Sequence, residues 1–252
     1  MTATETTALL QSVRTSTATV LAELSATTLS DSDVRAASLL PDWTIGHVLT
    51  HLARSADAMA GSVGGTLRDE AVALYPDGDE GRAKDIEAGA GRHATEIVAD
   101  LRDSAERLDR VLGAVADADA WDRVADRGLS NEEILISRWC EIEIHRIDAR
   151  LAVPKQWPAQ FVERMLRETA DPARLPERLD RPVRIVVDGG TEPALTGLAV
   201  DVAPAGGDDA PVEVRAPDFA VLAWLFGRGS AVDPPLGSSV VLTPWRRIPA
   251  AQ

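Results

Sequence analysis

The chain has 252 residues, of which 45% are hydrophobic and 26% charged, and a formal net charge of −14. That length admits one large domain or two ordinary ones, and the acidic balance argues against nucleic acid or an anionic membrane as a partner, because both attract basic surfaces. The single cysteine, Cys140, excludes an internal disulfide and a cysteine-rich zinc site.

Taken in chain order, residues 6–25 are rich in Ala, Leu, Val and Thr without Gly or Pro, and read as a first helix. Leu39-Leu40-Pro41-Asp42 interrupts the pattern. A second helix is expected from Thr44 to Met59, where Ile45, Val48, Leu49, Leu52, Ala56 and Met59 form one apolar stripe at helical spacing. Gly61 to Gly65 reads as its exit, and residues 66–81 as a loop. A third, long helix is expected from about Arg82 to Val115, with Ile97, Leu101, Leu108, Val111 and Leu112 in period. Ser130-Asn131-Glu132-Glu133 is a capping box that opens a fourth helix, running to about Leu151, with Pro154 and Pro158 beyond it.

Past Pro154 the character changes. Phe161 to Thr169 reads as one more helix, and Val183 to Val187, β-branched and bounded by Pro182 and Gly189-Gly190, as a strand. Leu198 to Val202 and Val212 to Val214 are further strand candidates, Phe219 to Phe226 a short helix, and Val240-Val241-Leu242 a closing strand. The expectation is therefore an α+β chain: a four-helix bundle over residues 1–153 and a smaller α+β domain over 154–252. The N-terminus has neither the basic start nor the apolar run of a signal peptide, and no stretch reaches the ~18–20 apolar residues of a membrane span. A cytoplasmic protein is expected, in keeping with its lone thiol.

Two helical segments carry metal-binding residue types. His47 and His51 are four apart on the second helix, and Glu141 and His145 are four apart on the fourth, so each pair lies on one helix face. The fourth histidine, His93, reads as exposed. Two neutral imidazoles and a carboxylate are the ligand set of many catalytic zinc sites that keep a coordination position open. On the fourth helix Arg138, Glu141, His145 and Asp148 share one arc, Glu143 and Arg146 another, with apolar residues between. A surface helix needs one polar arc, so two imply that one lines an interior pocket. The arc with four ionisable groups is the better candidate, since buried charges must be paired or hold a metal. His51 borders the apolar stripe beside the small residues Thr44, Ser55, Ala58 and Ser62. His47 could support the site, start the helix or face water. Cys140 reads as a small core residue, and Trp139 and Trp224 as core.

The segment Leu40-Pro41-Asp42-Trp43-Thr44-Ile45-Gly46-His47-Val48-Leu49-Thr50-His51-Leu52-Ala53 resembles the entry to the second helix in the mycothiol-dependent maleylpyruvate isomerase family. Arg138 to Asp148 resembles that family's Arg-x-x-Glu-x-x-x-His-x-x-Asp motif. Tyr75 with Arg82 to Gly89 is similar to its third-helix entrance, and Ala223 to Ser230 to its closing motif. The four patches keep their order over nearly the whole chain. The resemblance implies a DinB-like metal-binding four-helix bundle with His51, Glu141 and His145 as ligands to a divalent metal, usually zinc, and excludes His47.

It also implies a small-molecule thiol, mycothiol, acting on a small-molecule substrate. An open metal position lowers the pKa of a bound thiol, and the thiolate is the nucleophile. The implied activity is cis–trans isomerisation of maleylpyruvate or a similar cis-enoic acid. Transfer of the thiol to an electrophile, or a non-catalytic metal-binding protein, are the alternatives. Arg82 and Arg228 are the candidates for binding carboxylates of substrate or thiol, because a guanidinium fork matches carboxylate geometry. Arg138 and Asp148 are expected to pair with or orient the ligands.

Overall fold

The computed structural model describes residues 2–27, 29–171, 175–204, 210–233, 236, 240 and 242–243. They form two compact units, residues 1–151 and 152–246.

The first unit is helical. Its long helices are α1 (Ala3–Thr27), α3 (Ile45–Thr66), α5 (Ala94–Asp117) and α6 (Asn131–Asp148), with the shorter α2 (Asp31–Arg35) and α4 (Gly78–Ala90) between them. Helix α3 packs on α5 and α6, and α1 packs on α6 and α5, which closes a four-helix bundle; α4 lies against α3. The stripe Ile45, Val48, Leu49, Leu52, Ala56 and Met59 is buried to 8% exposure or less, joined by Val63 one turn on. Each large side chain of this kind stabilises the fold by ~1.5–3 kcal/mol on burial.

Three boundaries differ from the sequence reading. Gly61 to Gly65 does not end α3; the helix runs through to Thr66. A Cβ at Gly65 would meet the Glu70 carbonyl oxygen at 2.7 Å, so this glycine admits close chain approach rather than a helix exit. The expected third helix is two helices, broken at 91–93. His93 is the N-cap of α5, Glu96 reaches back to the His93 N–H at 3.0 Å, and Asp31 of α2 accepts the Ala94 N–H at 2.9 Å. Helix α2 itself, only five residues long, leaves too little periodicity to read. The start of α6 is as expected: Ser130 Oγ accepts the Glu133 N–H and Glu133 accepts the Ser130 N–H.

The second unit holds α7 (Ala159–Thr169), β1 (Val183–Val187), β2 (Ala199–Val202), β3 (Val212–Ala216) and α8 (Asp218–Leu225). The three strands form one sheet in the order β2-β1-β3, antiparallel between β1 and β2 and parallel between β1 and β3. Trp157, Phe161 and Phe226 cluster where α7 meets α8, Trp157 edge-to-face with each phenylalanine and the two phenylalanines tilted, with ring centroids 5.7–6.3 Å apart. The expected closing strand is not part of the sheet: Leu242 makes an isolated antiparallel bridge to Leu179, and Val241 lies outside the described residues. The chain is thus α+β, a helical bundle followed by a smaller mixed unit.

Candidate metal centre

Three side chains from two helices converge in the bundle. His51 Nε2 lies 2.7 Å from Glu141 Oε2 and 3.1 Å from His145 Nε2, and His145 Nε2 lies 3.5 Å from Glu141 Oε2. Helical spacing stacks Glu141 above His145 on α6, and the contact between α3 and α6 brings His51 across to them. These distances bracket the ~3.3 Å separation of tetrahedral ligands held ~2.0–2.1 Å from a zinc ion. Glu141 Oε2 is buried and accepts no hydrogen bond of good geometry. A buried carboxylate oxygen left in this state costs free energy unless a cation meets it. The donor set and the orphaned oxygen both fit a divalent metal, and the three residues form a group with ligand atoms all within 4.8 Å of one another.

The surroundings orient these groups. Asp148, fully buried on α6, accepts from His145 Nδ1 at 2.9 Å. In the neutral ring that bond places the proton on Nδ1 and leaves the Nε2 lone pair facing the cluster, as carboxylates commonly do for metal-binding histidines. Trp43, just before the α3 N-cap, sets its ring edge-on to His51 with centroids 5.7 Å apart. Arg82 of α4 places Nη2 3.0 Å from His51 Nδ1, and its guanidinium carbon lies 5.6 Å from the Tyr75 ring centre. Arginine can only donate, so His51 Nδ1 accepts here.

Burial holds the His51 pKa down to about 4 against the pull of Glu141, so this ring is neutral near pH 7. Burial also works against protonation of His145, but the hydrogen bond to Asp148 and the negative charge of Glu141 prevail and raise its pKa to about 8. For Glu141 burial opposes ionisation, and the two imidazoles overcome it, holding the carboxyl well below the usual carboxylate range. Glu141 keeps 26% of its side chain exposed, so the cluster is open on one side.

The structure brings together His51, Glu141, His145 and Arg82. His47 stays out of the cluster: its Nδ1 serves the α3 capping box with Thr44, at 3.2 Å from the Thr44 N–H, and its Nε2 meets Glu87 at 3.1 Å. Of the two α6 residues expected to orient ligands, Asp148 touches one. Arg138 touches none and donates instead to the Leu52 carbonyl at 2.9 Å. Arg228 belongs to the second unit, where its Nη1 donates to the Phe226 carbonyl at 2.7 Å. Its neighbour Gly229 admits the chain's own backbone: a Cβ there would meet the Leu236 carbonyl oxygen at 2.4 Å. Cys140 is buried in the core, as are Trp139 and Trp224, and His93 is exposed beside Asp31.

Sequence reasoning gave Trp43 no role and missed the Arg82–His51 contact. The first had a signal in its place directly before an N-cap, about two turns from His51. The second joins separate helices and obeys no spacing rule.

Residues 13–150 match the family model of the mycothiol maleylpyruvate isomerase N-terminal domain. Two solved structures share the fold. One is described as a crystal structure of the mycothiol-dependent maleylpyruvate isomerase, with 22% identity, a TM-score of 0.77, and 95% of this chain and 96% of that chain covered. The other is a histidine-to-alanine mutant of that enzyme, with 21% identity, a TM-score of 0.76, and 94% and 99% covered. No curated protein matches.

Proposed function

This chain belongs to the mycothiol maleylpyruvate isomerase N-terminal domain family, and we propose that it is a metal- and mycothiol-dependent cis–trans isomerase of maleylpyruvate or a similar cis-enoic acid. The observation that carries this reading is the meeting of His51, Glu141 and His145 at one partly open point inside the matched domain. Those three would hold the metal, zinc being the divalent ion best suited to two imidazoles and a carboxylate. Bound there, it supplies a Lewis acid that keeps a thiol ionised near neutral pH. Reversible addition of a thiolate to a cis-enoyl acid leaves a single bond that rotates, and elimination returns the trans isomer with the thiol intact.

The chain's own residues do the rest. Asp148 fixes the His145 tautomer so that Nε2 offers its lone pair. His51, neutral near pH 7, needs no net loss of a proton to ligate, only a shift of its ring proton from Nε2 to Nδ1. Once His51 Nε2 is a ligand, its ring proton resides on Nδ1, and the Arg82 hydrogen bond loses its acceptor. The Arg82 guanidinium then becomes available to a carboxylate of substrate or thiol. Arg228 is the second carboxylate-binding arginine in this proposal, on the strength of the family resemblance. Trp43 forms an apolar wall beside His51.

The test is a spectrophotometric assay of the metal-loaded protein with a catalytic amount of mycothiol and a cis-enoic acid such as maleylpyruvate. Isomerisation with the thiol undiminished supports the proposal. Stoichiometric loss of thiol would make the protein a thiol transferase, and no thiol-dependent turnover a metal-binding protein without this activity.

A further inference from the structure

A cavity of about 470 Å3 lies between α1 and α5, with Arg138 of α6 among the residues that line it. That volume is within the roughly 300–1,000 Å3 of small-molecule sites. Its walls are largely apolar, built by Val13, Leu21, Ala105, Leu108 and Leu112. A narrower recess shares Leu21, Ala105 and Arg138 with it and reaches Leu52 and Ile142. At the rim the exposed pair Arg14 and Asp109, 2.6 Å apart, links one wall to the other.

Arg138 is out of keeping with those walls. It is 2% exposed, and among the described residues its one hydrogen bond is from Nη1 to the Leu52 carbonyl. No described carboxylate forms an ion pair with it, unlike the buried Arg146 on the same helix, which Glu23 and Glu143 both meet. Among the described residues its other guanidinium N–H groups meet no acceptor, and the residue lines the cavity. Burial works against its charge, and Glu141 and Asp57 favour that charge from a distance without offsetting the effect of burial; a buried cation whose one direct partner is a neutral acceptor is costly, and it becomes favourable when an anion completes the pair.

The geometry points to a second binding site, independent of the metal cluster and of the isomerase reading: the α1–α5 cavity takes a small monocarboxylic acid with an apolar tail, its carboxylate on Arg138. One guanidinium matches one carboxylate through paired N–H···O bonds, and the aliphatic walls match the tail. The charges at the rim cancel, so a polyanion has no advantage there.

Titration calorimetry of the full-length, metal-loaded protein with octanoate, and with octan-1-ol as the uncharged counterpart, tests this. Expected is one saturable octanoate site per chain, with octanol at least about tenfold weaker. Arg138→Met should weaken octanoate about tenfold or more and leave octanol unchanged. Ala105→Leu, which fills the cavity without touching Arg138, should weaken both, with helix content and metal content as in the parent. No saturable octanoate binding overturns the proposal. Undiminished octanoate binding by Ala105→Leu also overturns it, whatever Arg138→Met does, because it places the carboxylate elsewhere, the metal cluster included.

Discussion

On the side of α6 that faces α1, Glu143 is 1% exposed and accepts the Ser16 hydroxyl at 2.5 Å; Ser16 in turn accepts the Trp139 indole N–H at 3.0 Å. Arg146, 6% exposed, reaches both Glu143 and Glu23 of α1. On the side that faces α3, Glu141 and His145 meet His51 with Oε2 and the two Nε2 atoms turned toward one another, and Glu141 Oε2 is left without a hydrogen bond of good geometry. The two polar arcs of one helix are therefore both covered, although the wheel suggested that only one would be. They differ in what meets the charge. On the α1 side an arginine sits between two carboxylates, so cation and anion both come from the chain and the arc acts as a structural tie between helices. On the α3 side a carboxylate and two imidazoles converge on a common point with no permanent cation among them, which is what a metal ion requires. Burial of polar groups alone does not mark a functional site; ligand-type groups that converge without a permanent cation of their own do.

Removing a ligand on the α3 side should have the largest effect. Glu141→Ala and His145→Ala are expected to weaken metal binding by more than about 100-fold, beyond the 10–100-fold typical of losing an outer-shell partner. Helix content by circular dichroism should hold. A variant that keeps full affinity would dissolve the distinction between the two arcs.

The α1 side should show the opposite pattern. Arg146→Ala leaves Glu143 and Glu23 without their shared cation and should cost about 3–5 kcal/mol, the range for breaking a buried ion pair. Burial already raises the Glu143 pKa despite Ser16 and Arg146, so the uncompensated carboxylate worsens as pH rises. Urea denaturation would register the loss, while metal stoichiometry should be unchanged; metal lost in step with Arg146 would mean that the arcs are one system.

Asp148→Asn should lower metal affinity about 10–100-fold with little change in fold, because the His145 tautomer loses its anchor. Competition against a chelator measures this, and an unaltered affinity would leave Asp148 with no part in the site.

The pH dependence follows from His145, whose folded pKa lies above its ordinary value, at about 8. Below about pH 8 the metal-free ring holds a proton that ligation must displace, so metal affinity should fall by up to about tenfold per pH unit as pH decreases. A flat profile between pH 8 and pH 6.5 would argue against His145 as a ligand. The smallest effect belongs to His47→Ala, which removes a capping contact worth ~1 kcal/mol and should leave metal binding intact.

Much of this was legible in the sequence because it obeys local rules. The α3 stripe, the Ser130 capping box and the i,i+4 pair Glu141/His145 all follow from helical periodicity, and the two arcs of α6 were visible on the wheel. His51 was matched to the Glu141/His145 arc through the family resemblance; what covers the Glu143/Arg146 arc was not legible, because Ser16 and Glu23 sit in an α1 rich in Ala, Thr and Ser with no pattern that points at α6. The break at 91–93 was hidden because apolar periodicity resumes beyond it and one of its caps, Asp31, comes from a helix sixty residues upstream. Gly61 to Gly65 looked like a terminus, since composition cannot distinguish a glycine that ends a helix from one that admits a neighbour. Arg82 was legible as a guanidinium near the site, but not as the donor to His51 Nδ1.

Metal analysis of the protein purified without chelator, set beside His51→Ala, decides whether His51, Glu141 and His145 form a metal centre. Expected are about one divalent ion per chain in the parent and essentially none in the folded variant. Equal metal in both, or none in a parent supplied with zinc, would show that they do not.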